Sequence, residues 1–148
     1  MQLQLKETTE LVKSSEREHW IDDPYVSSYV TFREKNELSN DSEYLTYFKK
    51  YYEIYESQNH VGDIKIFYET EEDIMKKRAQ ILMVIGERNK GIGTNALSIL
   101  LEKIKDNYVS VYCNILRSNI ASLKILKRNG FIIEKIEGEN LQLSRQLF

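Results

Sequence analysis

Alternating apolar and polar positions mark the strands of this chain, and spacings of three and four mark its helices. Residues 1–7 alternate, with Leu3 and Leu5 against Gln2 and Gln4, as a half-buried strand does. Residues 9–20 read as a helix, which Asp22-Asp23-Pro24 breaks because a proline biases its predecessor away from helix. Residues 25–40 follow neither period, and 41–49 form a second short helix. Residues 51–56 and 61–69 are two strands joined by the polar turn Ser57-Gln58-Asn59-His60, which would leave His60 exposed. The charged stretch 70–77 reads as a solvated loop. Residues 81–85, Ile-Leu-Met-Val-Ile, are continuously apolar, as expected of a strand buried on both faces. An amphipathic helix follows over 94–107, with Leu97, Leu100, Leu101 and Ile104 on one face. Over 109–115 the alternation returns, setting Val109, Val111, Cys113 and Ile115 against Ser110, Tyr112 and Asn114. Ser118 or Asn119 can cap a further helix, with Gly130 as its C′ residue. Residues 131–136 and 141–147 then form a hairpin. The order β-α-α-β-β-β-α-β-α-β-β predicts a mixed α/β fold around a largely antiparallel sheet with parallel crossovers.

The 148 residues suit one domain spanning 1–148. One Cys and two His exclude an internal disulfide and a spaced zinc cluster, so no metal is expected. Cys113 falls in the apolar set of its strand and reads as a buried, inert thiol. A net charge of −2 argues against nucleic-acid or anionic-membrane partners. No apolar run approaches the ~20 residues of a membrane span. The N-terminal segment lacks the apolar core of a signal peptide, so a cytoplasmic location is expected.

Candidate chemistry gathers at Arg88-Asn89-Lys90-Gly91-Ile92-Gly93-Thr94, between the buried strand and a helix. Glycines admit a ligand close to the backbone, and the helix start presents unpaired N–H groups and a positive dipole end. Arg88 and Lys90 add charge, so the site suits a phosphate. Gly86 and Gly91 have P-loop spacing, but Ile92 stands where that loop needs lysine. Gly91, Gly93 and Ala96 satisfy a dinucleotide fingerprint, but the next strand offers Asn114 rather than an acid for a ribose hydroxyl.

Arg88-x-x-Gly91-x-Gly93 resembles the Arg/Gln-x-x-Gly-x-Gly/Ala motif of the GNAT superfamily, the acyl-CoA-dependent N-acyltransferases. Asn119-Ile-Ala-Ser122 through Gly130-Phe131 is similar to that family's second signature, a helix begun by Asn and ended by Gly-Phe. Trp20-Ile-Asp-Asp-Pro24 and Val61-Gly-Asp-Ile64 look like the branch of ribosomal-protein N-terminal and amino-sugar acetyltransferases.

The resemblance implies a GNAT fold and acetyl-CoA as co-substrate. By it, amides from Arg88 to Thr94 hold the pyrophosphate, and backbone groups of Met83, Val84 and Ile85 pair with the pantetheine. Asn119 bonds the cofactor's polar groups, and Ser122 and Leu126 flank the thiol end. Lys127 reaches the 3′-phosphate; its plainer reading is a solvated helix lysine. A backbone N–H near Val84 would stabilise the oxyanion. The chain departs from the pattern at the chemistry. Gln80 stands at the usual position of a catalytic Glu, Leu126 at that of an acidic Tyr, and Asn114 where some members use Glu. Water, or Tyr112, Glu69 or Glu87, would then have to move protons, with Tyr112 the first candidate donor. The expected function is transfer of acetyl to a primary amine of a small molecule or a protein N-terminus. The alternative is a non-catalytic acyl-CoA-binding or regulatory module. Eight of ten tyrosines precede residue 70, which would suit a wall for the acceptor or simply cover the sheet edge. The C-terminal hairpin could supply an edge for a homodimer.

Overall fold

A computed structural model describes residues 2–8, 49–86 and 91–147. The helix expected over 9–20, nearly all of that over 41–49, and the turn residues Glu87, Arg88, Asn89 and Lys90 lie outside them. The described elements are β1 (Leu3–Thr8), β2 (Lys50–Glu56), β3 (Asn59–Phe67), α1 (Glu71–Lys76), β4 (Arg78–Ile85), α2 (Ile92–Ile104), β5 (Ser110–Leu116), α3 (Ile120–Arg128), β6 (Ile132–Glu137) and β7 (Asn140–Gln146).

The strands form one sheet in the order β1-β2-β3-β4-β5-β7-β6. Each described pair is antiparallel except β4–β5. That parallel pair runs for only three rungs, Arg78↔Ser110, Ala79↔Val111 and Gln80↔Tyr112. Beyond Gln80 and Tyr112 the two strands part, leaving the rest of β4 unpaired on that side. On the other side β4 stays bonded to β3 from Gln80 to Ile85. The sheet therefore opens as a V next to its centre.

One face of the sheet carries the apolar core. Ala79, Ile81 and Met83 of β4, Val111, Cys113 and Ile115 of β5, and Leu141 and Leu143 of β7 pack there with Ile92, Leu97, Leu100 and Ile104 of α2 and Leu126 of α3. The alternation of β5 and the stripe on α2 thus face each other, as their periods require. The two helices also interlock. A Cβ on Gly93 would lie 2.5 Å from Ile125 Cδ1, so any larger residue there would have to push the Ile125 side chain aside. Asn129 Nδ2 donates to the Thr94 carbonyl at 3.1 Å and ties the end of α3 to the start of α2. Gly130 lies at φ +82 as the C′ residue of α3. Its N–H bonds Lys127 O, and Phe131 N–H bonds Leu126 O, a Schellman pair that terminates the helix.

The charged stretch departs from expectation. Residues 70–77 are not a solvated loop but hold α1 (Glu71–Lys76). Thr70 caps it by accepting from Asp73 N–H, and Glu71, Glu72 and Asp73 crowd the positive end of the short dipole. The charged sequence hides this because its caps, not an apolar stripe, make the helix. Helix α2 begins at Ile92, two residues before the expected start.

Candidate active site

The V between β4 and β5 has two sides. On the core side a small apolar cavity lies at its foot, lined by Ile81, Met83 and Cys113, Leu97 of α2, and Ser122, Ile125 and Leu126 of α3. Leu126 is buried in the core, and Lys127 beside it is exposed. Burial pushes the Cys113 thiol up to about 12, so it stays protonated and inert.

Helix α2 points its N-terminus at the mouth of the V. The three helix starts differ in one respect. Thr70 caps α1 with its hydroxyl, and Asn119 caps α3 by accepting from Ser122 N–H at 3.1 Å. The N-cap of α2 is Gly91, at φ +73, with no side chain to offer, and no acid stands in the first turn. The amides of Ile92, Gly93 and Thr94 therefore meet the positive dipole end without a built-in anion, an arrangement that favours a bound phosphate. Of the expected pyrophosphate residues, Gly91, Ile92, Gly93 and Thr94 come together here, while Arg88, Asn89 and Lys90 lie outside the described residues. A Cβ on Gly93 would also meet Ile125 of α3.

The opposite side of the sheet is polar yet buried. Asp63, Lys65, Gln80 and Tyr112 are each at most 4% exposed. Gln80 sits on the last closed rung, between Phe67 of β3 and Tyr112 of β5. Its Oε1 is buried with no hydrogen-bond partner. An orphaned amide oxygen of this kind costs about 1–3 kcal/mol unless something fills it, so it fits an incoming N–H or water.

Tyr112, the expected proton donor, is already engaged. Its hydroxyl donates to Asp73 Oδ2 at 2.7 Å, with Glu69 Oε2 at 3.3 Å, while the Arg78 guanidinium lies 4.3 Å from its ring centroid. Burial first, and then the Asp73 and Glu69 carboxylates, push its hydroxyl far above the ordinary tyrosine range. In this arrangement the hydroxyl proton is directed at the Asp73 carboxylate. Asn114, on the same face, accepts from Gln142 Nε2 at 3.1 Å across the β5–β7 pair.

His60 is not in an exposed turn. The register slips between Ile54 and Tyr55, so one extra residue in β3 returns His60 to the face of Asp63. Its Nε2 lies 2.8 Å from Asp63 Oδ1 and 3.0 Å from the Gly62 carbonyl. Both partners are acceptors, so Nε2 carries the proton and donates. Tyr55 stacks on the ring at 5.2 Å. Glu53 completes the group, with ligand atoms of the three residues within 4.8 Å of one another. Asp63, Lys65 and Asp73 were given no role by the sequence, although Asp63 lies in Val61-Gly-Asp-Ile64 and Thr70-x-x-Asp73 has capping-box spacing.

The family model described as an acetyltransferase (GNAT) domain matches residues 6–132. None of the curated proteins matches the chain. Several solved structures share its fold. Campylobacter jejuni N-acetyltransferase PseH, in complex with acetyl coenzyme A, aligns with TM-score 0.65 and 21% identity over 98% of this chain and 99% of its own. Spermidine N-acetyltransferase from Vibrio cholerae, in complex with CoA and spermine, aligns with TM-score 0.71 and 15% identity over 99% and 96%. An aminoglycoside acetyltransferase in complex with coenzyme A aligns with TM-score 0.72 and 12% identity over 98% and 95%. Among the described residues, no helix is long and apolar enough to cross a membrane.

Proposed function

Because the chain belongs to the acetyltransferase (GNAT) family, in which acetyl-CoA is the co-substrate, we propose that it moves the acetyl group to a primary amine of a small molecule or a protein N-terminus. The observation that carries this reading is the uncapped, acid-free start of α2 at the mouth of an open β4–β5 pair. In this reading the amides from Gly91 to Thr94 bind the pyrophosphate, joined by Arg88, Asn89 and Lys90. Met83, Val84 and Ile85 offer backbone groups to the pantetheine, and an N–H near Val84 meets the oxyanion. Asn119 holds the start of α3, with Ser122 and Leu126, beside the thiol end. Lys127 is exposed and close enough in sequence to serve the 3′-phosphate.

Gln80 accepts an N–H of the attacking amine through its orphaned Oε1. An amide cannot take the proton, so it aligns the nucleophile while water carries the proton off. Tyr112 and Asn114 act as supports, since their polar atoms are bonded to Asp73 and Gln142. The acceptors named for the neighbouring structures support an amine, and none narrows it further here. A cytoplasmic location fits this chemistry.

A second reading, a non-catalytic acyl-CoA-binding module, is favoured by Gln80 and Leu126 at positions where the family's usual acid–base pair would stand. Thiol release from acetyl-CoA, followed over a panel of primary amines, separates the two. Amine-dependent release supports the enzyme; tight binding with no release over the panel supports the module. We also infer a homodimer through the outer strand β6, where Ile132 is 68% and Ile136 55% exposed. Sedimentation of wild type and Ile132→Lys checks this; a wild-type monomer would refute it.

A further inference from the structure

The polar face sets several hydrogen-bond acceptors around one side-chain donor. Tyr112 has a single hydroxyl proton, and it faces two carboxylates, Asp73 Oδ2 at 2.7 Å and Glu69 Oε2 at 3.3 Å. One proton cannot serve both at full strength. The backbone adds only Glu69 N–H, which donates to Asp73 Oδ2 at 3.3 Å. Among the described residues, neither carboxylate takes part in an ion pair. A further acceptor is Gln80 Oε1, which is buried and has no hydrogen-bond partner. Gln80 and Tyr112 are rung partners, so the orphaned oxygen stands beside Tyr112 on the side of the sheet where the Tyr112 hydroxyl meets α1. The cap of α1 accounts for Asp73, whose N–H bonds Thr70 Oγ1. It accounts for neither Glu69 nor Gln80.

Two cations share this face, and both are engaged elsewhere. Arg78 lies over the Tyr112 ring, but its Nη2 pairs with Glu134 Oε2 at 2.6 Å and its Nη1 lies 3.3 Å from Glu134 Oε1. Lys65 has its Nζ 4.6 Å from the centroid of the Phe67 ring and further contacts of its own. Asp73 is 8% exposed while Glu69 is open to solvent, so the acceptors run from the buried amide out to water. Such a group suits a ligand that brings N–H donors and positive charge. An ammonium offers three donors and no acceptor, and its bonds to carboxylates are among the stronger hydrogen bonds.

We propose that Glu69, Asp73 and Gln80 form a subsite for an aliphatic diamine, so that the acceptor carries two amino groups. This rests on the acetyl-transfer reading above. One amino group, neutral, donates to Gln80 Oε1 and attacks the thioester. The other, charged, is held by Glu69 and Asp73. The two must differ in charge, because only a nitrogen with a lone pair can attack. In the transfer the neutral nitrogen bonds to the thioester carbonyl carbon. The C–S bond breaks with its electron pair on sulfur, and the proton lost by nitrogen passes to water. The second ammonium is unchanged, and the product leaves as an N-acetylated monocation. A monoamine fills the Gln80 end alone and leaves both carboxylates to water.

Binding rather than turnover is the test. The purified full chain, with and without saturating CoA, is titrated calorimetrically with putrescine, cadaverine and, for comparison, n-butylamine. At least one diamine should bind wild type about tenfold or more tighter than the monoamine. Glu69→Gln, at an exposed position, should stay folded and lose that preference. Glu71→Gln, which removes an exposed carboxylate in the first turn of α1, should keep it. Gln80→Leu should weaken diamine and monoamine alike. Equal affinity of wild type for diamines and monoamine overturns the proposal, as does binding of neither with CoA or without it. So does a preference that survives in Glu69→Gln. One that falls equally in Glu71→Gln reduces the effect to diffuse surface charge and overturns it too. A wild type that prefers diamines but binds no CoA fails the transfer reading and leaves the subsite standing, a distinct result.

Discussion

The two faces of the sheet are built from the same strands and buried to similar depth, yet they obey different rules. The core face is apolar throughout and closed by α2 and α3; its residues could be exchanged for others of equal volume. The opposite face buries Asp63, Lys65, Gln80 and Tyr112, and each of those must find a partner or a purpose. Asp63 has His60, and Tyr112 has Asp73. Gln80 Oε1 has nothing. The difference separates what holds the fold from what is kept for a ligand.

The comparison breaks first at the seam of the core face. Gly93→Leu would drive a side chain into Ile125, whose Cδ1 already lies 2.5 Å from an added Cβ. Overpacking the α2–α3 contact should cost about 1–3 kcal/mol, read as a lower urea midpoint, and should also weaken acetyl-CoA binding. A wild-type midpoint would mean that the helices slide past each other freely.

On the polar face the expected loss falls on stability more than on binding. Tyr112→Phe leaves the buried Asp73 carboxylate without its 2.7 Å donor and should destabilise by about 1–3 kcal/mol. Acetyl-CoA affinity should change less than about threefold, because the hydroxyl is not offered to the cofactor. A large affinity loss with unchanged stability would return Tyr112 to the reacting groups.

Alkaline pH sharpens the same contrast. Cys113 and Tyr108 are each pushed up to about 12, chiefly by burial. The folded chain thus holds protons that the unfolded chain releases, from about pH 8.5 for a thiol and about pH 10 for a phenol. Stability is full below those values and falls as pH rises toward 12. Cys113→Ala should flatten the early part of that fall in denaturant titrations; an unaltered slope would contradict the buried thiol.

The smallest effect is expected at Gln80. Gln80→Glu should barely change acetyl-CoA affinity but place a carboxylate near Asp73 and Glu69, where burial and like charge raise its pKa. The alkaline part of the kcat profile should then shift, since a base replaces water as proton acceptor. An unchanged profile would move the attacking amine away from this residue.

Most of the core face was legible in the sequence. The alternation from Val111 to Ile115, the apolar run 81–85 and the stripe on 94–107 each landed on the face they implied, while Val109, expected in the same apolar set, is exposed and precedes the strand. The Asn119-to-Gly130 helix did too, because both ends are set by local capping chemistry. The polar face was much less legible. Hydropathy assigns Asp63 and Lys65 to solvent, and nothing local reveals that β3 is central and covered. The turn assigned to His60 failed because a bulge, which no period predicts, restores it to the sheet. Helix α1 was missed although its cap was written in Thr70-x-x-Asp73, since its six residues, all but Ile74 charged or exposed, show no stripe. Gln80 and Leu126 were noted as departures, but the orphaned oxygen and the buried leucine exist only once the strands are placed.

Calorimetric titration of acetyl-CoA into wild type and Gly91→Asp tests the central claim most directly. Asp at φ +73 strains the turn and sets a negative charge where the α2 amides should meet phosphate. Wild type should bind one equivalent at sub-millimolar cofactor, and Gly91→Asp should lose about 100-fold or more in affinity while remaining folded. Equal affinity in the two proteins would place the pyrophosphate elsewhere, and no binding to wild type would contradict the account.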